Sequence, residues 1–200
     1  KNKTGLILCS QSGETKDLHR CLDIARTYDL VTIGVVNVPD SMIARESDCG
    51  VYLNAGRENA VASTKSFTIQ CVVLSMIAVW FAQNKGTHIK KRQKTISDIR
   101  NLSFHLNSCI TQFENLVKKN TKIFKNNSSM FLLGKGDNEA IAKEGALKIK
   151  EVAYIHAEGF AGGELKHGPI ALIDQGTLVI AILPAGHEHA LDEKMLSNIQ

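Results

Sequence analysis

Apolar and polar positions alternate along the first part of the chain in the pattern of a parallel α/β unit. A continuous apolar run at residues 5–9 predicts a strand buried on both faces. Further strands are predicted at 31–38 and 51–53, with a short helix at 42–46 between them. After the first strand, the spacing i, i+3, i+4, i+7 predicts a helix with one apolar face, formed by Leu18, Cys21, Leu22 and Ala25. The order β-α-β-α-β predicts a layered unit with right-handed crossovers.

The middle of the chain changes to long helical patterns. Residues 63–83 are apolar nearly all round, which predicts a helix surrounded by other elements or by a partner subunit. Residues 95–118 are amphipathic, with one apolar seam of Ile96, Ile99, Leu106, Ile110, Phe113 and Val117. The longest apolar run, 71–82, contains Ser75 and is shorter than the roughly 20 residues of a membrane span. We therefore expect no membrane-spanning segment.

The polar stretch KKNTKIFKNNSS indicates a domain boundary, after which the pattern restarts. The restart consists of a strand at 130–133, the loop GKGDN, a helix at 139–155, a strand at 178–183 and a helical stretch to residue 200. We predict two α/β units in tandem: the first at 1–118, a linker at 119–129 and the second at 130–200. Because the chain opens on a strand almost at once and the second unit is short, we expect a fragment of a longer polypeptide.

Composition and charge narrow the classes of function. The chain is 44% hydrophobic and 22% charged, which suits a globular core and not a disordered chain. The net charge is only +4, and the basic clusters at 90–94 and 118–125 lack interleaved aromatics, so no nucleic-acid partner is expected. Five cysteines and seven histidines show no metal-ligand spacing. We therefore expect no metal and a reducing, cytoplasmic location.

The loop SQSGET, residues 10–15, lies where the first strand hands over to a helix, which is the edge at which open α/β sheets bind ligands. Ser10, Ser12 and Thr15 offer three hydroxyls beside a helix N-terminus, which favours an anion. The alternative is that Ser12 or Thr15 only caps the helix. The GK[ST] ending of a nucleotide-binding P-loop is absent, so a small phosphorylated metabolite is the better candidate. Ser63 is expected to cap the apolar helix.

A charged stripe on the helix of the second unit is the candidate for chemistry. Lys148 follows Glu144 by four residues and precedes Glu151 by three, so the three side chains share one face. They are either exposed ion pairs of little energetic consequence or a Schiff-base or electrophilic lysine beside a proton-shuttling glutamate. His167, in the glycine- and proline-containing loop GELKHGP, suits a general acid or base. His156 is expected in the last turn of the helix, in a structural role.

Five motifs together carry a family resemblance. In chain order they are SQSGET, NVPDSMIARESD, NAGRENAVASTKSFTIQ, LLGKGDNEAIAKEGALKIKEVAYIHAE and GELKHGPIALID. Together they resemble the isomerase part of the glutamine–fructose-6-phosphate aminotransferase (glucosamine-6-phosphate synthase) family, over essentially the whole chain. The resemblance implies tandem SIS (sugar isomerase) domains. Each would be a three-layer, flavodoxin-like αβα domain with a parallel sheet flanked by helices, and both would be incomplete in this chain.

The resemblance also implies roles for individual residues, carried over position by position. The phosphate-binding loop would be formed by Ser10, Gln11, Ser12 and Thr15, with sugar contacts from Ser63 and the Val61 backbone. Lys148 would form a Schiff base with the ketose C2, and Glu151 would move a proton between C1 and C2. His167 would assist ring opening from the neighbouring subunit, which implies a homodimer.

The implied function is the sugar-phosphate isomerase part of an amidotransferase. The parent enzyme would convert fructose 6-phosphate and glutamine to glucosamine 6-phosphate and glutamate, in amino sugar biosynthesis on the UDP-GlcNAc pathway, without a cofactor. Ammonia would come from a glutaminase domain of the parent chain, which this sequence does not include. The alternatives are a non-catalytic, sugar-phosphate-binding regulatory SIS module and a simple sugar-phosphate isomerase. Lys148, Glu151 and His167 favour an enzyme, because a pure sensor has no chemical need for them.

Overall fold

The structure is a computed structural model that describes residues 4–125 and 127–183. The chain divides into two compact units, Lys1–Cys109 and Ile110–Gln200. Each unit contains its own parallel sheet of three strands. The parallel α/β class expected from the sequence is confirmed.

The first unit follows the predicted order of strands and helices. Its elements are β1 (Gly5–Ser10), α1 (Lys16–Thr27), β2 (Val31–Val36), α2 (Met42–Glu46), β3 (Cys49–Tyr52), α3 (Lys65–Asn84) and the beginning of α4 (Ile89–Lys119). The sheet order is β1-β2-β3, so β2 is the central strand. Gly5 of β1 pairs with Val31, and Ile33 of β2 pairs with Cys49. The carboxyl ends of all three strands therefore meet at one edge of the sheet.

The core of the first unit lies on both faces of β2. One cluster of buried residues joins the strands to α1 and α2 and consists of Leu8, Leu22, Val36 and Ile43. A second cluster joins the opposite face to α3 and consists of Val35, Leu53 and Val73. The prediction that β1 is buried on both faces is wrong, because Ile7 is 40% exposed whereas Leu8 is buried. Among the described strands β1 lies at the sheet edge, where α3 covers less of the second face.

The long apolar helix α3 has little cover from the rest of the chain. Its buried residues are Ser66 and Val73, whereas Met76 and Trp80 are exposed. The expectation that other elements surround it is therefore wrong for the described residues. By length and composition alone α3 is a candidate membrane span, with a mean hydropathy of 1.6 and 11% of that window buried. One such helix is weak evidence that the chain crosses a membrane, because core helices of soluble proteins can have the same length and composition.

Helix α4 begins earlier than the predicted residue 95, because the charged segment before its apolar seam consists largely of good helix formers. The seam itself is exposed or half-exposed, and none of the described residues of α4 is buried. The division between the compact units falls within this helix. The predicted linker, 119–129, contains the short helix α5 (Thr121–Lys125), because Phe124 packs against the core of the second unit.

The second unit continues with strand β4, helix α6, strand β5 and strand β6. Their bounds are β4 (Ser129–Gly134), α6 (Asp137–Ala153), β5 (His156–Ala161) and β6 (Leu178–Ile182), with 3-10 turns at Leu165–His167 and Pro169–Leu172. The sheet order is β5-β4-β6, and the central strand β4 is buried from Met130 onwards. The predicted helical stretch up to residue 200 extends beyond the described residues.

Strand β5 was not predicted from the sequence. Its sequence, HAEGFA, lacks the β-branched residues and the alternation that indicate a strand. Helix α6 ends at Ala153, and Tyr154 takes a left-handed conformation with φ of 56°. His156 therefore begins β5 and does not lie in a last helical turn, which corrects the prediction for it. Its Nε2 lies 3.4 Å from Oε1 of Glu158, at an exposed position.

Helix α6 packs very closely on the second sheet. Ala142 and Ala146 are fully buried against Met130, Leu132 and Ala157. A Cβ added to Gly159 of β5 would lie 2.5 Å from the Cα of Lys143, so only glycine fits there. The small residues let the backbones of α6 and β5 approach each other and fix the position of the charged stripe on α6.

Candidate functional site

The loop 10–15 is organised by its own hydroxyl groups. The hydroxyl of Ser10, which is buried, accepts a hydrogen bond of 2.9 Å from the backbone N–H of Gly13 and lies 3.0 Å from the hydroxyl of Thr15. The hydroxyl of Ser12 accepts a hydrogen bond of 3.1 Å from the N–H of Glu14. Thr15 is the N-cap residue of α1, yet its side chain makes no capping hydrogen bond. The hydroxyls therefore shape the loop, and the simple capping interpretation does not describe it.

Gly13 is the residue on which the loop turns. Its φ is +69°, and an added Cβ would overlap the side chain of Ser41. The Gly13 carbonyl accepts a hydrogen bond of 3.0 Å from the N–H of Ile43, and the Glu14 carboxylate accepts one of 2.9 Å from the N–H of Met42. The loop is thus fastened to the beginning of α2, where Ser41 is buried without a hydrogen-bond partner for its hydroxyl among the described residues.

A cavity of about 470 Å³ lies at the carboxyl edge of the first sheet. Its lining comes from the segments that directly follow β1, β2 and β3, namely Gln11, Asn37, Val38, Pro39, Asn54, Gly56, Arg57 and Glu58. This edge is where open α/β sheets bind ligands. Of the residues singled out from the sequence, Gln11 lines this cavity. The amides and the guanidinium give it a polar, hydrogen-bonding wall.

The segment between β3 and α3 carries Val61 and Ser63. Val61 is 92% exposed, and Ser63 is half-buried. Ser63 is not the N-cap of α3; the cap position belongs to Thr64, whose N–H donates a hydrogen bond of 2.9 Å to the Glu58 carboxylate. The carboxylate satisfies one of the free N–H groups at the helix beginning, so a cap from Ser63 is not needed.

The stripe on α6 brings Lys148 together with two carboxylates. Nζ of Lys148 donates a hydrogen bond of 2.6 Å to Oε2 of Glu151 and lies 3.4 Å from Oε1 of Glu144. The Lys148 side chain is 22% exposed and both glutamates are 27% exposed. The side chains of the ion pair Lys143–Glu139 on the same helix are more exposed, at 59% and 36% respectively. The stripe is therefore partly withdrawn from water, unlike an ordinary surface ion pair.

The carboxylates keep Lys148 protonated. Partial burial lowers the pKa of Lys148, but the hydrogen bond and charge of Glu151 and the charge of Glu144 outweigh it and hold the pKa above its ordinary value of 10.5. At neutral pH the side chain is an ammonium. It donates a hydrogen bond to the Glu151 carboxylate and has further protons to donate to a nearby oxygen.

His167 lies in the 3-10 turn Leu165–His167, where a loop was predicted. Its side chain is exposed, and its backbone N–H donates to the Glu164 carbonyl at 3.0 Å. Leu165 of the same turn is buried against Leu133, which fixes the turn on the second sheet. The turn thus presents the imidazole to solvent with no side-chain hydrogen bond to a residue that the structure describes.

The predicted residues fall into separate groups. Ser10, Ser12 and Thr15 form one loop in the first unit, whereas Lys148 and Glu151 are in direct contact in the second. Sequence reasoning missed the cavity residue Asn37, because the second strand was predicted to run to residue 38, whereas β2 ends at Val36. It also missed Glu58, which lies in the loop after β3. Among residues 4–125 and 127–183, no cluster of three or more His, Cys, Asp or Glu could hold a metal.

The first unit, with a hydroxyl-rich loop and a cavity at the carboxyl edge of its parallel sheet, has the features of an α/β ligand-binding domain. The SIS domain family model matches this chain over residues 1–80 and 122–196, and the chain belongs to the SIS domain family. The two matched segments correspond to the two sheets of the structure.

Comparison with individual proteins points to one group within the family. The chain is 43% identical over 200 residues to a glutamine–fructose-6-phosphate aminotransferase (isomerizing) of Clostridium acetobutylicum, covering 98% of this chain and 32% of the relative. It is 44% identical over 201 residues to the enzyme of that name from Tropheryma whipplei, covering 100% of this chain and 32% of the relative. The chain spans about a third of the length of these relatives.

A solved structure agrees with the sequence relatives. The C-terminal domain of glucosamine-fructose-6-phosphate aminotransferase from Francisella tularensis superimposes with a TM-score of 0.90 at 34% identity, covering 100% of this chain and 57% of that chain. The family resemblance read from the five motifs is confirmed.

Proposed function

We propose that the chain is the sugar-phosphate isomerase part of a glutamine–fructose-6-phosphate aminotransferase, and that it converts a ketose phosphate to an aldose phosphate. The observation that carries the proposal is the contact of 2.6 Å between the Lys148 ammonium and the Glu151 carboxylate on a half-buried helix face. The similarity to enzymes of this name supports the substrate, fructose 6-phosphate.

The loop 10–15 is proposed to bind the phosphate of this substrate. Ser10, Ser12 and Thr15 supply hydroxyls, Gln11 an amide, and the beginning of α1 its N–H groups and the positive end of the helix dipole. Val61 and Ser63 would contact the sugar. A fixed phosphate holds the rest of the open-chain sugar in one orientation, which lowers the entropic cost of reaching the transition state.

Glu151 is proposed to take a proton from C1 and return it to C2, while the proton of the C1 hydroxyl passes to the C2 oxygen, so that the carbonyl moves from C2 to C1. The Lys148 ammonium donates a hydrogen bond to this carboxylate, and as an electrophile it stabilises the negative charge that develops on the sugar oxygen. The Schiff base with C2 that the resemblance implies requires a neutral amine. The two carboxylates oppose this state, so the electrophilic role is the better supported of the two.

His167 is proposed to open the sugar ring as a general acid or base. The resemblance implies that it acts in the neighbouring subunit of a homodimer. An exposed imidazole on a turn anchored by Leu165 suits such a role. The exposed apolar residues Met76 and Trp80 of α3 provide surface that an oligomer can cover.

The parent enzyme is proposed to include a glutaminase domain that delivers ammonia to the ketose. Its location would be the cytoplasm, because the five cysteines, Cys9, Cys21, Cys49, Cys71 and Cys109, are free thiols. The activity proposed for the present residues is the isomerisation, with no cofactor.

A substitution of Glu151 tests the proposed chemistry. Glu151→Gln keeps an oxygen that accepts from Lys148 but cannot carry a proton, so kcat for isomerisation should fall by about 10²–10⁴-fold. Binding of fructose 6-phosphate, measured by calorimetry in the whole protein, should be unchanged. The matched control is Glu139→Gln, which removes the exposed partner of Lys143 on the same helix and should leave kcat unaltered. Undiminished turnover in Glu151→Gln would contradict the proposal and favour the non-catalytic regulatory module.

A mixing experiment tests the role of His167 across subunits. His167→Ala and Glu151→Gln proteins should each be inactive. If each site takes its histidine from one subunit and its glutamate from the other, heterodimers contain one intact site, and an equal mixture should recover about a quarter of the activity. No recovery after subunit exchange, with heterodimers demonstrated by mass spectrometry, would show that both residues act within one chain.

A further inference from the structure

Asn37 connects the two loops of the first unit that carry the proposed sugar-phosphate contacts, through its backbone N–H to one loop and its side chain to the other. Asn37 directly follows the central strand β2 and is 9% exposed. Its backbone N–H donates a hydrogen bond of 3.3 Å to the Gln11 carbonyl in the loop 10–15. Its Oδ1 accepts one of 2.9 Å from the N–H of Ala55, and its Nδ2 donates one of 2.8 Å to the Gly56 carbonyl.

The second of these loops, residues 54–64, makes few other hydrogen bonds among the described residues, although Ala55 packs against a core cluster and Ala62 is buried. Within the loop, the Glu58 carboxylate accepts a hydrogen bond of 2.9 Å from the N–H of Thr64. Nζ of Lys65, the first residue of α3, donates a hydrogen bond of 2.7 Å to the Arg57 carbonyl of the loop. These two contacts join the loop only to the beginning of α3. Among the described residues, the side-chain hydrogen bonds of Asn37 are the ones that join this loop to the end of β2.

The cavity of about 470 Å³ lies where these loops meet. Gln11 contributes from the first loop, and Asn54, Gly56, Arg57 and Glu58 contribute from the second. Asn37 lies at the end of the central strand with Val38 and Pro39, so it is placed between the two walls. A carboxamide carries its acceptor oxygen and its donor nitrogen on separate atoms, so it can bond to the Ala55 N–H and the Gly56 carbonyl at the same time.

We propose that Asn37 is a positioning residue that sets the separation of the two loops, so that a ligand whose phosphate is bound by loop 10–15 places its hydroxyl-bearing carbons in the cavity. The inference rests on the proposed function of the first loop as a phosphate site. The affinity for the sugar part of the ligand, as distinct from its phosphate, then depends on the Asn37 side chain. The backbone bond from Asn37 to Gln11 does not depend on its side chain, so the phosphate loop is independent of the identity of residue 37.

Affinities of the whole protein for fructose 6-phosphate and for inorganic phosphate distinguish the sugar contacts from the phosphate contacts. Asn37→Ala removes both side-chain hydrogen bonds to loop 54–64. It should weaken fructose 6-phosphate binding by about tenfold and raise KM by a similar factor, because an unanchored loop must be ordered on binding. The affinity for inorganic phosphate should not change. Asn37→Asp keeps the acceptor for Ala55 but puts a carboxylate oxygen against the Gly56 carbonyl, so its affinity for the sugar phosphate should fall at least as far as that of Asn37→Ala.

Asp48→Asn is the control for a merely structural effect. Asp48 accepts hydrogen bonds from the N–H and hydroxyl of Thr32 at the opposite end of β2, so the variant loses stability away from the loops. The Asp48→Asn protein should bind fructose 6-phosphate and inorganic phosphate with the same affinities as the unsubstituted protein. Equal loss of both affinities in Asn37→Ala, or no loss of either, would overturn the role of Asn37. If the unsubstituted protein binds phosphate but not the sugar phosphate, the proposed function itself fails.

Discussion

At the scale of single residues, the site depends on side chains whose surroundings change their ordinary behaviour. Lys148 on its own would be a surface cation, but it is partly buried, and two carboxylates outweigh the effect of this burial on its pKa and hold it as an ammonium beside Glu151. The sequence predicted this stripe, because the i, i+3 and i, i+4 spacing is sufficient to bring the three side chains together. The direction in which the pKa moves could not be read from spacing, because it depends on how much water the folded chain excludes.

Gly13 offers a test of the loop 10–15 at this scale. Gly13→Ala introduces a side chain at a φ of +69° and forces it against Ser41, so the free energy of unfolding should fall by about 2 kcal/mol or more, and phosphate binding should weaken. Gly86→Ala is the matched control, because Gly86 has a φ of +65° and no atom within 4 Å of the added Cβ. It should cost about 1 kcal/mol. Equal losses in urea denaturation would contradict the account of the contact with Ser41.

At the scale of elements, the sequence predicted best where burial decides the pattern. α2 was predicted at 42–46, as observed, and β4 is the buried strand that its apolar run indicated. Strand β5 was missed because Ala157 and Gly159 are small residues that pack closely against α6. Small residues lack the β-branched and aromatic side chains from which a strand is predicted. The same limit applies to the cavity, because hydrogen bonds from Asn37 to a distant loop leave no periodic pattern.

The junction of β2 and β3 gives a prediction for stability as a function of pH. The Asp48 carboxylate accepts from the N–H and hydroxyl of Thr32 at 2.7 and 2.8 Å, and these hydrogen bonds hold the pKa of Asp48 below its ordinary value of 3.8. The ionised carboxylate therefore stabilises the fold above this pH, and the contribution is lost as the pH falls through the lowered folded pKa. Asp48→Asn should unfold more easily at pH 7, and its stability should fall less steeply in acid.

Thermal or urea unfolding of both proteins across the acid range measures this effect. The difference between the two proteins should be constant from neutral pH down to about pH 5 and should then diminish as Asp48 is protonated. A difference that does not change with pH would mean that the carboxylate charge has no part in joining the two strands.

At the scale of the whole molecule, two α/β units of one family occur in tandem and carry different parts of the proposed reaction. The first unit has the hydroxyl loop and the polar cavity, and the second has the lysine and the carboxylate. Length and motif order predicted this division, and the SIS model matches a segment in each half. The all-apolar pattern of α3 predicted cover by other elements or by a partner subunit, and the described residues leave much of this helix exposed.

The central claim is that this chain transfers a proton between C1 and C2 of a sugar phosphate and does not only bind it. Incubation of the whole protein with fructose 6-phosphate in D₂O, followed by NMR of the products, measures this transfer directly. We predict glucose 6-phosphate that carries deuterium at C2, because the Glu151 carboxyl exchanges its proton with solvent during the transfer. Saturation of the protein with fructose 6-phosphate without isomerisation and without deuterium in the sugar would contradict the account.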